Sequence, residues 1–161
     1  MTDPSRGAAT VVTQPGAILF YATKDLYGAF SNFAAYPIVV RGVEWRTNEH
    51  YFQAQKFAGT AHEEVIRRVA SPAVAARMGR SRQRPLRPDW ETVKDDIMLE
   101  AIRAKFMQHP ALARLLLDTG KAPIVEHTPR DRYWGDGGDG SGRNMLGKLL
   151  MRVRDELRAQ V

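Results

Sequence analysis

Two rhythms of apolar and polar positions run along this chain, and the change from one to the other divides it. Near the start the period is short. Ala17–Tyr21 is an apolar run ending in aromatics, which predicts a strand. Ile38, Val39, Val40 and Val43 flank Arg41-Gly42, which predicts a hairpin or two short strands turning at Gly42. Between them, Lys24 to Phe33 holds Gly28 and the pair Ser31-Asn32 and reads as a turn, with Phe30 and Phe33 as apolar anchors.

From Thr47 onward the period lengthens to that of a helix. Thr47-Asn48 offers a cap for a helix over Glu49–Ala58, stopped by Gly59. Its spacing puts Glu49, Gln53 and Lys56 on one face and His50, Ala54 and Phe57 more nearly on another. Thr60 and Glu63 form a capping-box pattern that opens a second helix, running to about Ala70. Ser71 as cap and Pro72 at the first position start a third, ending at Gly79. A long amphipathic helix follows Asp89-Trp90. Val93, Ile97, Ala101 and Ala104 mark its core stripe, with Met98, Ile102 and Phe106 beside it. Pro110 breaks the pattern before a shorter helix over Ala111–Leu117. The last helix carries Met145, Leu146, Leu149, Leu150, Val153 and Leu157 inward, with Lys148, Arg152, Arg154 and Arg158 on the non-core side. The expected fold is mainly α (α+β), a single compact helical domain over 17–161 with a small antiparallel β element near its N-terminus. Residues 1–16 are expected to be a flexible tail.

Composition adds limits more than detail. A chain of 161 residues, 43% hydrophobic and 26% charged, has the make-up of one globular domain with a real core. It has no cysteine, so disulfides, thiolate nucleophiles and cysteine–metal sites are excluded, and a cytoplasmic setting is compatible. No apolar run approaches the length of a membrane span, and the first residues lack the apolar region of a signal peptide. The net charge of +6 favours anionic partners.

Candidate chemistry gathers in two stretches. Ile124 to Asn144 packs Glu126, Asp131, Tyr133, Trp134 and five glycines between a short apolar run and the last helix. Glycine brings backbone close to a ligand, an aromatic faces a flat partner, and carboxylates carry proton chemistry. The alternative for such a segment is a plain surface loop. No phosphate-loop or dinucleotide fingerprint is present. Arg77, Arg80, Arg82, Arg84 and Arg87 follow one another with no acid between them, and their forked donors suit phosphate. His50, His62, His109 and His127 are scattered at spacings that do not suit a metal, and Asp136 and Asp139 miss the calcium-loop pattern, so neither a metal nor a cofactor is expected.

Together the motifs resemble a known family. Gly28-Ala29-Phe30-Ser31-Asn32-Phe33, Trp45, Glu49 to Phe57, Arg87-Pro88-Asp89-Trp90, Lys94, Lys105-Phe106 and the pattern from Glu126 through Trp134-Gly135 and Asn144 to Met151 are similar to the signatures of the NADAR family, the bacterial YbiA-like N-glycosidases. Phe30 stands where that family commonly has leucine. The resemblance implies hydrolysis of a bond between ribose and nitrogen. The implied substrates are small phosphorylated ribosyl-pyrimidines of early riboflavin synthesis. A second possibility is ADP-ribosylated guanine in nucleic acid, and a third is a module that binds ADP-ribose without chemistry. It further implies Glu49 as the catalytic carboxylate, Asp131 as its partner or a ribose ligand, and Glu126 in reserve. Trp90 and Trp134 are expected to stack on base or sugar, and Asn32 and Asn144 to orient the substrate. Phe33, Lys56, Arg82, Arg84, Lys94 and Gly135 complete the expected binding set. No membrane association and no obligate protein partner are expected.

Overall fold

One helix is polar in sequence and yet buried along its whole length. This is α1, Asn48–Gln55, in a computed structural model that describes residues 16–161. The expected tail lies outside the described residues, apart from Gly16. Thr47 caps α1: its Oγ1 accepts the His50 N–H at 3.1 Å and lies 2.8 Å from His50 Nδ1. His50 Nε2 faces the Val69 carbonyl at 2.9 Å, so Nε2 donates there and Nδ1 accepts from the threonine hydroxyl. Burial, the largest influence, lowers the pKa of His50, which fits a neutral, structural imidazole.

Three helices enclose α1. They are α2 (Ala61–Arg68), α3 (Pro72–Arg80) and α4 (Trp90–Gln108). Ser71 caps α3 by accepting the Val74 N–H, with Pro72 in the first turn as the sequence predicts. The expected capping box at α2 does not form. Thr60 Oγ1 turns back to donate to the Phe57 carbonyl, while Glu63 accepts from the Gly59 N–H and from Gln55. Gly79 explains how α3 lies so close to α1. A Cβ there would stand 1.9 Å from Gln53 Oε1, so only glycine leaves room for that side chain.

Helices α5 (Pro110–Asp118) and α6 (Met145–Ala159) pack on the far side of α4. The core runs through Phe30, Met98, Ile102, Phe106, Leu116, Leu146 and Leu150, with Phe30 edge-on between Phe20 and Phe106. The stripe of α4 is rotated from the expected one. Val93 and Ala104 are only half-buried, while Met98, Ile102 and Lys105 lie at its centre. Arg154 of α6 also departs from expectation. It points inward and donates to Thr119 Oγ1 and the Ala122 carbonyl, joining the ends of α5 and α6.

The β structure is divided in two. Strands β2 (Ile38–Val40) and β3 (Val43–Trp45) form the expected antiparallel hairpin, with Arg41 and Gly42 both at positive φ. Strand β1 (Ile18–Phe20) instead pairs in parallel with β4 (Ile124–Glu126), Ile18 opposite Ile124 and Phe20 opposite Glu126. That pairing joins the first described strand to the segment that leads into α6. No helix among the described residues is long and apolar enough to cross a membrane.

Candidate active site

A cavity of about 880 Å³ opens where α1, α3, the turn after β1 and the loop after β4 meet. α1 supplies Glu49, Phe52, Gln53 and Lys56, the face that its helical period predicts. Ala73, Ala76 and Arg80 come from α3 at helical spacing, and Glu126 stands at the end of β4. The loop beyond adds Thr128, Arg130, Asp131 and Trp134, and the N-terminal segment adds Tyr21, Ser31, Asn32 and Phe33.

The carboxylates sit in different surroundings. Glu49 is buried, and burial raises its pKa. Against that, Gln53 Nε2 donates to its Oε1 at 2.7 Å, and Lys56 and Arg80 attract its charge. Glu126 has none of that support. Its Oε2 is shut off from solvent with no hydrogen-bond partner among the described residues, and burial with the charges of Asp131, Glu49 and Asp136 pushes its pKa up to about 8. At neutral pH Glu126 keeps its proton. Asp131 builds the wall as well as facing the cavity: its Oδ1 accepts the Tyr133 and Trp134 N–H groups at 2.9 and 2.8 Å.

Lys56 is the buried cation of the opposite wall. Its Nζ reaches the Gly79 carbonyl at 3.4 Å and lies 5.8 and 5.7 Å from the ring centroids of Phe52 and Trp90. Burial, followed by the like charge of Arg82, lowers its pKa to about 8, although Glu49 works the other way. Arg80, at the last residue of α3, adds a guanidinium to the same side.

Several expected residues lie elsewhere. Trp90 is 5% exposed and tilts against Phe52 at 5.0 Å, so it backs the wall instead of forming it. Arg82 folds onto the Gly79 and Ser81 carbonyls, Arg84 is exposed, and neither lines the cavity. Lys94 pairs with Glu91 and lies 4.0 Å above the Tyr133 ring, whose neighbour is Trp134. Gly135 permits close packing, since a Cβ there would press on Thr128, Asp131 and Glu126. Asn144, at φ 51°, clamps β4: its Oδ1 accepts the Glu126 N–H and its Nδ2 donates to the Ile124 carbonyl.

The structure adds lining residues absent from the expected set. Arg80 was legible only as one of a run, and its spacing from Ala73 and Ala76 is the signal that picks it out. Tyr21 (44% exposed) joins Phe33 (39% exposed) as an aromatic facing both cavity and solvent. Asp136 organises the glycine-rich loop. It is buried, yet hydrogen bonds from His127 at 2.7 Å and from the Thr128 and Gly138 N–H groups hold its carboxyl below the usual range. Among the described residues no cluster of three or more histidine, aspartate or glutamate side chains is arranged to hold a metal ion.

Comparisons with known proteins agree with one another. The model of the NADAR domain matches residues 19–158. The N-glycosidase YbiA of Escherichia coli (strain K12) is 60% identical over 146 residues, covering 91% of this chain and 91% of that protein. An N-glycosidase of Nostoc punctiforme is 44% identical over 144 residues, 88% of this chain and 92% of its own. A riboflavin biosynthesis protein of Vibrio vulnificus is 42% identical over 149 residues, which are 92% of this chain and 40% of that longer protein. The solution NMR structure of E. coli YbiA superposes with a TM-score of 0.84 at 58% identity, covering 92% of this chain and 89% of that one.

Proposed function

This chain belongs to the NADAR family, and we propose that its cavity hydrolyses an N-glycosidic bond between a phosphorylated ribose and an aminopyrimidine, releasing ribose 5-phosphate. The observation that carries the reading is a pair of glutamates with unequal support at one cavity. Burial and the neighbouring carboxylates keep Glu126 protonated. Burial raises the pKa of Glu49 as well, but Gln53, Lys56 and Arg80 oppose that rise, and no such group supports Glu126. Environments that push two carboxyl groups apart are how a site obtains an acid and a base at one pH.

In this mechanism Glu126 gives its proton to the departing nitrogen as the C1′–N bond breaks. Positive charge then grows on the ribose ring, and the Glu49 carboxylate stabilises it. Water adds to C1′ and its proton passes to Glu49. Lys56 and Arg80 take the phosphate, where a guanidinium fork and a near ammonium match its oxygens. Trp134 and Phe33 wall the flat base, and Asn32 donates to the sugar or base. Asp131 is the third carboxylate, spending one oxygen on its own loop.

The small metabolite is favoured because two of the three cations lining the cavity, Lys56 and Arg80, stand together beside Glu49, a pair that suits one terminal phosphate, with Arg130 on the loop after β4. Such phosphorylated substrates are retained in the cytoplasm, the setting of the reaction in this reading. Arg82 and Arg84, outside the lining, are available to a longer ligand, so ADP-ribosylated guanine in nucleic acid is the competing substrate. The decisive assay incubates the protein with each and measures kcat/KM for release of ribose 5-phosphate or of ADP-ribose. A ratio favouring the nucleic acid, with steep loss of activity on adding salt, would overturn the metabolite assignment. No release from either would overturn hydrolysis itself.

A further inference from the structure

One buried ionisable group belongs to neither the carboxylate pair nor the cationic wall. Lys105 of α4 is 1% exposed, and no carboxylate pairs with it among the described residues. Its amine makes one hydrogen bond, donated to the Ser31 carbonyl at 2.9 Å, with the Tyr36 ring centroid 5.6 Å away. Burial alone drives its pKa down to about 7. A methionine or leucine would fill the same volume among Phe106 and its neighbours with no desolvation cost. A residue that weakens the fold in this way invites a reason outside folding.

The reason lies in what the amine holds. Ser31 opens a tight turn that closes with the Ala34 N–H on the same Ser31 carbonyl, at 3.1 Å. The two central residues of that turn, Asn32 and Phe33, face the cavity. The rest of the turn is fastened to the site's own helices. The Asn32 carbonyl accepts the Glu49 N–H at 3.1 Å, and Asn32 Nδ2 points to Met98 Sδ at 3.4 Å. Lys105, which is not among the lining residues, therefore grips the atom that closes the turn.

We propose that Lys105 is a positioning residue for this cavity: through the Ser31 carbonyl it fixes the turn that presents Asn32 and Phe33 to the substrate. The inference rests on the cavity being the active site, but its effect on the turn is measurable without turnover. Lys105→Met removes the donor and keeps the bulk. Amide exchange followed by NMR is expected to quicken about tenfold at Phe33 and Ala34, both of which donate within the turn, and to stay unchanged in α5 and α6. The thermal midpoint should hold or rise. With a phosphoribosyl-aminopyrimidine as substrate, KM should increase about tenfold and kcat change less than about threefold, the pattern of lost uniform binding. Lys105→Gln, which keeps a donor, should recover part of the KM. Unchanged exchange in the turn overturns the proposal whatever the activity. A lowered midpoint with kcat and KM both degraded, or failure of both variants to fold, makes Lys105 structural and overturns it as well. If the wild type turns over no N-glycoside while the exchange result holds, the functional reading fails and the grip on the turn stands.

Discussion

In the proposed mechanism the chemistry concentrates in one carboxyl, that of Glu126, which lines the cavity and is held protonated by burial and by the carboxylates around it. Replacing its proton-bearing oxygen with an amide removes the acid and keeps the shape. Glu126→Gln is therefore expected to lower kcat by about 10²–10⁴, the range of a positioned general acid. Glu49→Gln should lose about 10² or more in the same assay. The wild-type rate should fall as pH rises through about 8, where Glu126 gives up its proton. Lys56 titrates in the same region, so the profile is to be repeated in Lys56→Gln. The descending limb of kcat should persist there, and its disappearance would assign it to the lysine. That Glu49 shares a face with Gln53 and Lys56 was legible in the helical period, and that face lines the cavity, whereas its proposed role came from the family resemblance. The prominence of Glu126 was not legible, since its raised pKa comes from burial and from carboxylates brought near by folding. Lys105 was named only as part of the family resemblance, because nothing in the sequence shows the carbonyl that its amine meets.

The elements were legible where their signals are local. Thr47, Ser71-Pro72 and Pro110 mark helix starts through their own backbone geometry, and the structure begins α1, α3 and α5 there. The hairpin was legible on the same ground, since its turn is set by the two adjacent residues Arg41 and Gly42. Strand β4 was not legible, because its apolar run stops after two residues at Glu126, no adjacent turn marks it, and its partner β1 lies far earlier in the chain. The crossing of α3 over α1 was also hidden. Gly79 reads as a helix end, whereas the structure uses it to seat Gln53, the donor to Glu49. Gly79→Ala is expected to force Gln53 aside, costing about 1–3 kcal/mol of stability as an overpacked contact. With Gln53 displaced, kcat should fall roughly tenfold, on the scale of one lost charge-assisted hydrogen bond. Denaturant midpoints and steady-state kinetics on the same preparation check both. Full activity in the variant would remove Gln53 from the support of Glu49.

For the molecule as a whole, the site's buried charges set an unusual stability curve. Glu126 keeps in the folded state a proton that the unfolded chain releases above the ordinary glutamate value of 4.5. Stability is therefore expected to fall as pH rises from about 5 to about 8. Lys105 and Lys56 act in the opposite sense. Folded, they shed protons near 7 and 8 that the unfolded chain holds to 10.5, so stability should climb again toward about pH 10. The denaturation midpoint should pass through a minimum near pH 7–8, and a maximum there would contradict these assignments. The helical character, the hairpin and the last helix were legible at this scale, but the closure of the chain was not. That closure has a temporal consequence. Tyr21 is placed by β1, β1 is paired by β4, and β4 is clamped by Asn144 at the entrance to α6. While the polypeptide is still emerging from the ribosome, its first strand has no partner and the cavity lacks one side. Catalysis must await the emergence of Asn144 and α6, so a truncated translation product lacking them would be inert.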